Sequence, residues 1–251
     1  VTQPIKLKAR EAGGYAMRAK GAKQGEILIY EDVGAGWFGG VTAKQFAADL
    51  KGLGPVESID VRINSYGGDV FDGLAIYRQL VDHPAQIIAH VDGVAASIAS
   101  IIAMSGDEIV MAEAGFLMIH NAWGMAVGNA NDVRAYADRL EAVSDQLAGV
   151  YVARTGKQKK TVCDLMDAET WFTAEEAIAN GFATSVVANQ QMAARYDQER
   201  HQFVRVPNAL LPTEDMRQRA AMSAADLKIR QSVAAQVMRM ATRKIEQSSG
   251  K

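Results

Sequence analysis

Gly93-Val94-Ala95-Ala96-Ser97-Ile98-Ala99-Ser100 follows almost directly on an apolar run, Ile87-Ile88-Ala89-His90-Val91. The run has the length and β-branched content of a buried strand, and the small residues after it predict a short helix over 96–104. Ser97 then sits at a strand-to-helix junction, where the first N–H groups of a helix have no intrahelical partner. His120 stands 23 positions later, at the end of a second apolar run, Phe116-Leu117-Met118-Ile119. A serine nucleophile needs a base within hydrogen-bond reach, and a developing oxyanion needs N–H donors. This junction and this histidine offer both.

The alternation of strand and helix repeats on either side. Residues 26–30 read as a strand and 42–53 as a helix, with Thr42 as its cap and Phe46, Leu50 and Leu53 at helical spacing. Residues 56–64 form a second strand and 70–81 a second helix carrying Leu74, Tyr77 and Val81 on one face. The third strand covers 86–91, and two short strands follow over 108–111 and 116–119. Such an order predicts an α/β fold of repeated strand–helix units around a largely parallel sheet.

Residues 131–153 hold the longest helical pattern. Val133, Ala137, Leu140, Val143, Leu147 and Val150 make a narrow apolar stripe on a charged helix, and Gly156 is its C-cap. The stripe suits a partner subunit as well as the parent domain. Thr173-Ala174-Glu175-Glu176 is a capping box that opens another helix ending at Gly181. After Val187 the composition turns to Gln, Arg, Met and Ala. The reading is an arm over 1–24 with one short strand, a domain over 25–188, and an extension over 189–251 that is partly helical or mobile. Within the extension Thr213 is a helix cap, and Leu227, Val233, Val237, Met240 and Ile245 form a stripe.

Composition narrows the function classes. The 251-residue chain is 49% apolar with a net charge of −2, which gives no general attraction to nucleic acid or anionic membrane. From Thr213 onward eight Lys/Arg face four Asp/Glu, but without aromatic residues to stack on bases no nucleic-acid contact is expected. A single cysteine, Cys163, is read as a structural residue on a helix and fits a reducing compartment. No run approaches the ~20 apolar residues of a membrane span, and the start, Val1-Thr2-Gln3-Pro4, shows no secretory h-region. The expectation is a cytoplasmic protein, in a bacterium or a phage-infected host cell. His90 is read as structural on its strand, and His83 and His201 as solvated. No pair has metal-ligand spacing, so neither metal nor cofactor is expected.

Asn64-Ser65-Tyr66-Gly67-Gly68-Asp69 lies between a strand and a helix, and two adjacent glycines there let the backbone turn sharply and present N–H groups. Together with Ser97 and His120 it resembles the Clp protease proteolytic subunit (ClpP) family and its phage head-maturation relatives. Asn64-Ser65-Tyr66-Gly67-Gly68 is similar to that family's Asn-Ser-Pro-Gly-Gly, and Gly93 to Ala99 resembles its nucleophile motif. Met118-Ile119-His120-Asn121 is similar to its Met-Ile-His-Gln, and Trp171-Phe172-Thr173-Ala174-Glu175-Glu176-Ala177 to its last block. The resemblance implies a ClpP/crotonase-type fold with a protruding handle helix, stacked heptameric homo-oligomeric rings and serine endopeptidase activity. It implies Ser97 as nucleophile, His120 as base, the Gly68 and Ile98 N–H groups as oxyanion hole, and Tyr66 and Gly67 beside the substrate groove.

Alignment on Ala174 to Ala177 puts the family's catalytic aspartate at Glu169, with Asp167 as its rival for orienting His120; both also fit helix-end surface carboxylates. Tyr66 stands where the family usually has proline, and the extension after Val187 has no counterpart in its motifs. Two roles fit: a head-maturation (prohead) protease acting on phage capsid and scaffold proteins, which the motif wording favours, or a housekeeping proteolytic subunit fed by an AAA+ unfoldase. A crotonase-type acyl-CoA enzyme and a catalytically silent ring share the fold and stand as readings of another class.

Overall fold

The computed structural model describes residues 14–35, 40–188 and 203–211. The chain divides into two units, Val1–Pro207 and Asn208–Lys251. The sheet, its helices and the site belong to the first; a 3-10 turn at Asn208–Leu210 represents the second. The helix expected after Thr213 lies outside the described residues.

In chain order the first unit contains β1 (Tyr15–Ala19), β2 (Gln24–Ile29), α1 (Ala43–Leu53), β3 (Ser58–Ser65) and α2 (Val70–Val81). Then come β4 (Gln86–Ala96), α3 (Ile98–Ala103), β5 (Glu108–Ala112) and β6 (Phe116–Ile119). The last elements are α4 (Ala130–Thr155), α5 (Lys159–Asp167), β7 (Thr170–Thr173), α6 (Ala174–Ala179) and β8 (Ser185–Val187). The sheet runs β1-β2-β3-β4-β5-β8, parallel except for β1 on β2. The α/β fold of repeated strand–helix units is therefore present, and β1 is the short strand expected within 1–24.

β4 runs five residues past the expected end of its strand. Its first half, Ile88 to Val91, pairs with β5, and its second, Val94 to Ala96, pairs in parallel with Phe116 to Met118 of β6. β6 then pairs antiparallel with β7. The small residues expected to begin the helix thus remain in a ladder, because hydrogen-bond partners on both edges outweigh alanine's intrinsic preference for helix. What remains as α3 is six residues, all of them buried.

The core holds Ile27, Ile29, Ile59, Val61, Ile63, Ala89 and Val91 from the central strands, with Phe46, Ile76 and Leu80 from the helices. Glu26 and Asp60, which alternate with core residues along β2 and β3, are also buried. Burial would raise the Glu26 carboxyl, but hydrogen bonds from Lys20 and Arg18 prevail and hold it below its usual range. His90 Nε2 sits 3.1 Å from Asp60 Oδ1, the structural place expected of it. His83 departs from its reading as solvated. It is partly buried, its Nδ1 accepts from the Ala85 N–H at 3.1 Å, and burial lowers its imidazole pKa.

α4 begins in a capping box between Asn129 and Asp132 and ends at Gly156 with φ 68°. Only its C-terminal part, Leu147, Ala148 and Tyr151, is buried, while Val133 and Ala137 of the expected stripe stand exposed. Among the described residues no helix is long and apolar enough to cross a membrane.

Candidate active site

Ser97 occupies the single residue between β4 and α3 with φ 55° and ψ −130°. For a residue with a Cβ this conformation costs about 1–3 kcal/mol and persists only where the surroundings hold it. Here they do. The Ser97 N–H donates to the Met118 carbonyl at 3.0 Å, continuing the β4–β6 ladder. The Ser97 carbonyl accepts from both the N–H and the hydroxyl of Ser100, at 2.9 and 2.6 Å. Ser100 Oγ in turn lies 2.7 Å from the Tyr151 hydroxyl, brought in by α4. Complete burial raises the Tyr151 phenol far above its ordinary value, so it stays neutral in that contact.

The same ladder delivers the histidine. Ala96 pairs with Met118, which sets Ser97 one residue beyond the pair and His120 two beyond. His120 Nε2 and Ser97 Oγ are 2.8 Å apart. Burial pushes the imidazole below its ordinary value of 6.5, and the nearby Glu169 charge opposes this without cancelling it. A depressed pKa leaves the ring neutral at pH 7, the form that can accept a proton.

The Gly67-Gly68 turn lies against the serine. Gly67 has φ 104° and passes so close that a Cβ on it would meet Ser97 Cβ at 2.8 Å. Gly68 has φ 142°, and a Cβ there would lie 2.1 Å from the Val33 carbonyl oxygen. Val33 laces the turn in place: its N–H donates to the Gly67 carbonyl at 2.8 Å, and its carbonyl accepts from Asp69 N–H at 2.8 Å. Among the described residues neither the Gly68 nor the Ile98 N–H finds a backbone acceptor. Tyr66 packs with Phe116, Trp171 and Phe203 on a small apolar cluster of Val94, Ala96 and Met118.

Of the two rival carboxylates, Glu169 is the one set opposite His120. β7, absent from the sequence reading, pairs Thr170 with Ile119, so the residue before Thr170 faces the residue after Ile119. Glu169 is the second non-glycine residue with positive φ, at 48°. Its carboxylate accepts from Val204 N–H at 3.0 Å and Arg205 N–H at 2.7 Å, with Trp171 Nε1 at 3.4 Å. Asp167, at the exposed end of α5, accepts from Asn121 Nδ2 at 2.7 Å. The structure thus joins Ser97 to His120 and brings Glu169 alongside. Neither carboxylate hydrogen-bonds the His120 ring among the described residues.

The residues that sequence reasoning missed are Phe203, Val204 and Arg205. The Phe203 ring meets His120 edge-on at 5.4 Å between centroids. Only the apolar spacing of Phe203, Val204 and Val206 ahead of Pro207 sets this stretch apart from its polar neighbours.

A strained serine bonded to a histidine, beside two backbone N–H groups that find no backbone acceptor among the described residues, is a site of the serine-hydrolase type. A family model described as Clp protease matches residues 12–190. ATP-dependent Clp protease proteolytic subunit 3 of Rhodococcus jostii is 32% identical over 143 residues, covering 56% of this chain and 70% of the relative. Proteolytic subunit 2 of Mycolicibacterium paratuberculosis is 29% identical, covering 53% and 68%. That of Tropheryma whipplei is 31% identical, covering 53% and 74%. The chain belongs to the Clp protease family of serine-type peptidases.

Proposed function

We propose that the chain is an endopeptidase that cuts peptide bonds through an acyl-enzyme on Ser97. The 2.8 Å contact between Ser97 Oγ and His120 Nε2 at a conformationally strained junction carries this reading. As Oγ attacks the scissile carbonyl, its proton passes to Nε2. The carbonyl oxygen takes the negative charge and is held by the Gly68 and Ile98 N–H groups. Collapse of the tetrahedral intermediate breaks the C–N bond, and His120 returns the proton to the leaving amine. Water, deprotonated by His120, then releases the acid and restores Ser97. In this reading Glu169 orients His120, and Tyr66 and Gly67 line the substrate groove. No step needs a cofactor.

The catalytic domain spans 25–188 and works as a subunit of a ring-shaped homo-oligomer, heptameric by family resemblance. The exposed Trp123, Met125 and Val127 before α4, with Val133 on it, supply apolar surface for such contacts. Two roles remain distinct. The relatives' names support a proteolytic subunit working with an ATP-driven partner. The Glu169 to Ala177 wording and the extension after Val187 support a head-maturation protease acting on capsid or scaffold proteins. Fluorophosphonate labelling at Ser97 tests the chemistry, and absence of labelling beside a reactive control protease defeats it. Cleavage of a folded protein only with an ATP-driven unfoldase favours the first role; processing of capsid precursors without ATP favours the second.

The pH profile follows from the histidine. His120 must be neutral to accept the Ser97 proton, and burial depresses its pKa, so activity is retained on acidification until pH falls below the ordinary 6.5. The acid limb of kcat/KM therefore has its midpoint below 6.5. A midpoint above that value contradicts the burial of the base.

A further inference from the structure

Phe203 and the two residues after it engage the site at two points. The Phe203 ring packs edge-on against His120 at 5.4 Å and 90°, and against Trp171 at 5.8 Å and 74°. It also lies 6.3 Å from Tyr66, filling the recess over Val94, Ala96 and Met118. The next two N–H groups then take both carboxylate oxygens of Glu169, at 3.0 and 2.7 Å. One short segment thus covers the edge of the base and occupies the carboxylate that faces it.

We infer that Phe203–Arg205 is an intramolecular blocker of the active-site groove, an aromatic anchor followed by a backbone clamp on Glu169. The inference rests on the peptidase reading for its consequence, but the docking itself does not depend on it. A carboxylate that accepts two N–H bonds gives them up if it turns to the His120 ring. Charge-assisted bonds of this kind are the strong ones, so the docked segment holds Glu169 away from His120. The same N–H groups are replaceable by those of any extended peptide with an aromatic or large apolar side chain at the matching position. The segment and such a peptide compete for one recess, and displacement frees Glu169 and uncovers His120 together.

Two variants of the full chain test this. Phe203→Ala empties the recess, and Arg205→Pro removes one N–H donor at an exposed backbone position without altering the buried face. Each is combined with Ser97→Ala, and binding of an acetylated, fluorophore-labelled peptide spanning 203–207 is read by anisotropy. Arg205→Pro loses a hydrogen bond to a charged group and Phe203→Ala the burial of an aromatic ring, each about tenfold or more in an equilibrium, so the peptide binds each variant at least about tenfold more tightly than the Ser97→Ala parent. In active chains, both substitutions raise the rate of fluorophosphonate labelling of Ser97, the added peptide reverses that gain, and in steady-state peptide hydrolysis the added peptide raises KM and leaves kcat unchanged. Equal peptide binding by parent and variants overturns the inference, as does labelling that is unchanged or slower in a folded Arg205→Pro chain. If no chain is labelled while the variants still bind the peptide more tightly, the peptidase reading fails and the docking stands.

Discussion

Ser97→Ala lowers peptide hydrolysis by about 10⁶-fold and leaves the fold in place, as removal of a nucleophile from a cooperating pair does. The size of the effect follows from what the hydroxyl touches. Its side-chain bond is to His120 Nε2, and it caps no N–H of α3. Everything that holds residue 97 at φ 55° is backbone or belongs to Ser100 and Met118, and alanine keeps all of it. The backbone strain is likewise unchanged, since alanine meets the same Cβ contact at positive φ as serine. Steady-state hydrolysis of a chromogenic peptide measures the loss, and circular dichroism with a thermal melt checks the fold. His120→Ala brings a loss of similar size, because neither group acts without the other. Residual activity within tenfold of the parent in Ser97→Ala removes Ser97 from the nucleophile's place.

The site is assembled by strand register more than by loops. Pairing of Ala96 with Met118 fixes the serine and histidine together, and pairing of Ile119 with Thr170 sets Glu169 across from His120. Much of this was legible. The apolar runs gave β6, and its last residue pointed to His120. The helix spacing gave α2 residue for residue, and the Thr173 capping box opened α6 as written, with Glu176 returning to the Thr173 N–H at 2.9 Å.

What escaped has physical causes. β4 reads as ending at Val91 because alanines carry no strand signal; only partner strands on its two edges, distant in sequence, keep them extended. β7 has four residues, too few to show a period of two, and is masked by the helix cap that follows. Alignment on Ala174 to Ala177 already pointed to Glu169 over Asp167, but the strand that sets Glu169 across from His120 left no mark in the sequence. The contact of Phe203 with His120 spans 83 positions and has no local pattern at all.

Gly68→Ala reduces kcat by about 10²–10³-fold, the cost of losing one oxyanion donor, with a smaller change in KM. Two features of the turn force this outcome. The backbone has φ 142°, which L side chains rarely adopt, and the new methyl would sit 2.1 Å from the Val33 carbonyl oxygen. That oxygen cannot retreat freely, because it accepts from Asp69 while the Val33 N–H is committed to the Gly67 carbonyl. The turn itself must therefore shift, carrying the Gly68 N–H away from the position proposed for the oxyanion. Strain at such a position also lowers stability, by about 1–3 kcal/mol, so loss of activity alone does not identify the donor. Gly54→Ala separates the two effects: it shares a positive φ, 73°, at the end of α1, has nothing within 4 Å of its added Cβ, and lies away from the site. It should lower the melting temperature while leaving kcat unchanged, whereas Gly68→Ala loses both. If both variants keep kcat at equal stability loss, the Gly68 N–H holds no oxyanion, and the charge on the intermediate must be met by Ile98 and a donor elsewhere.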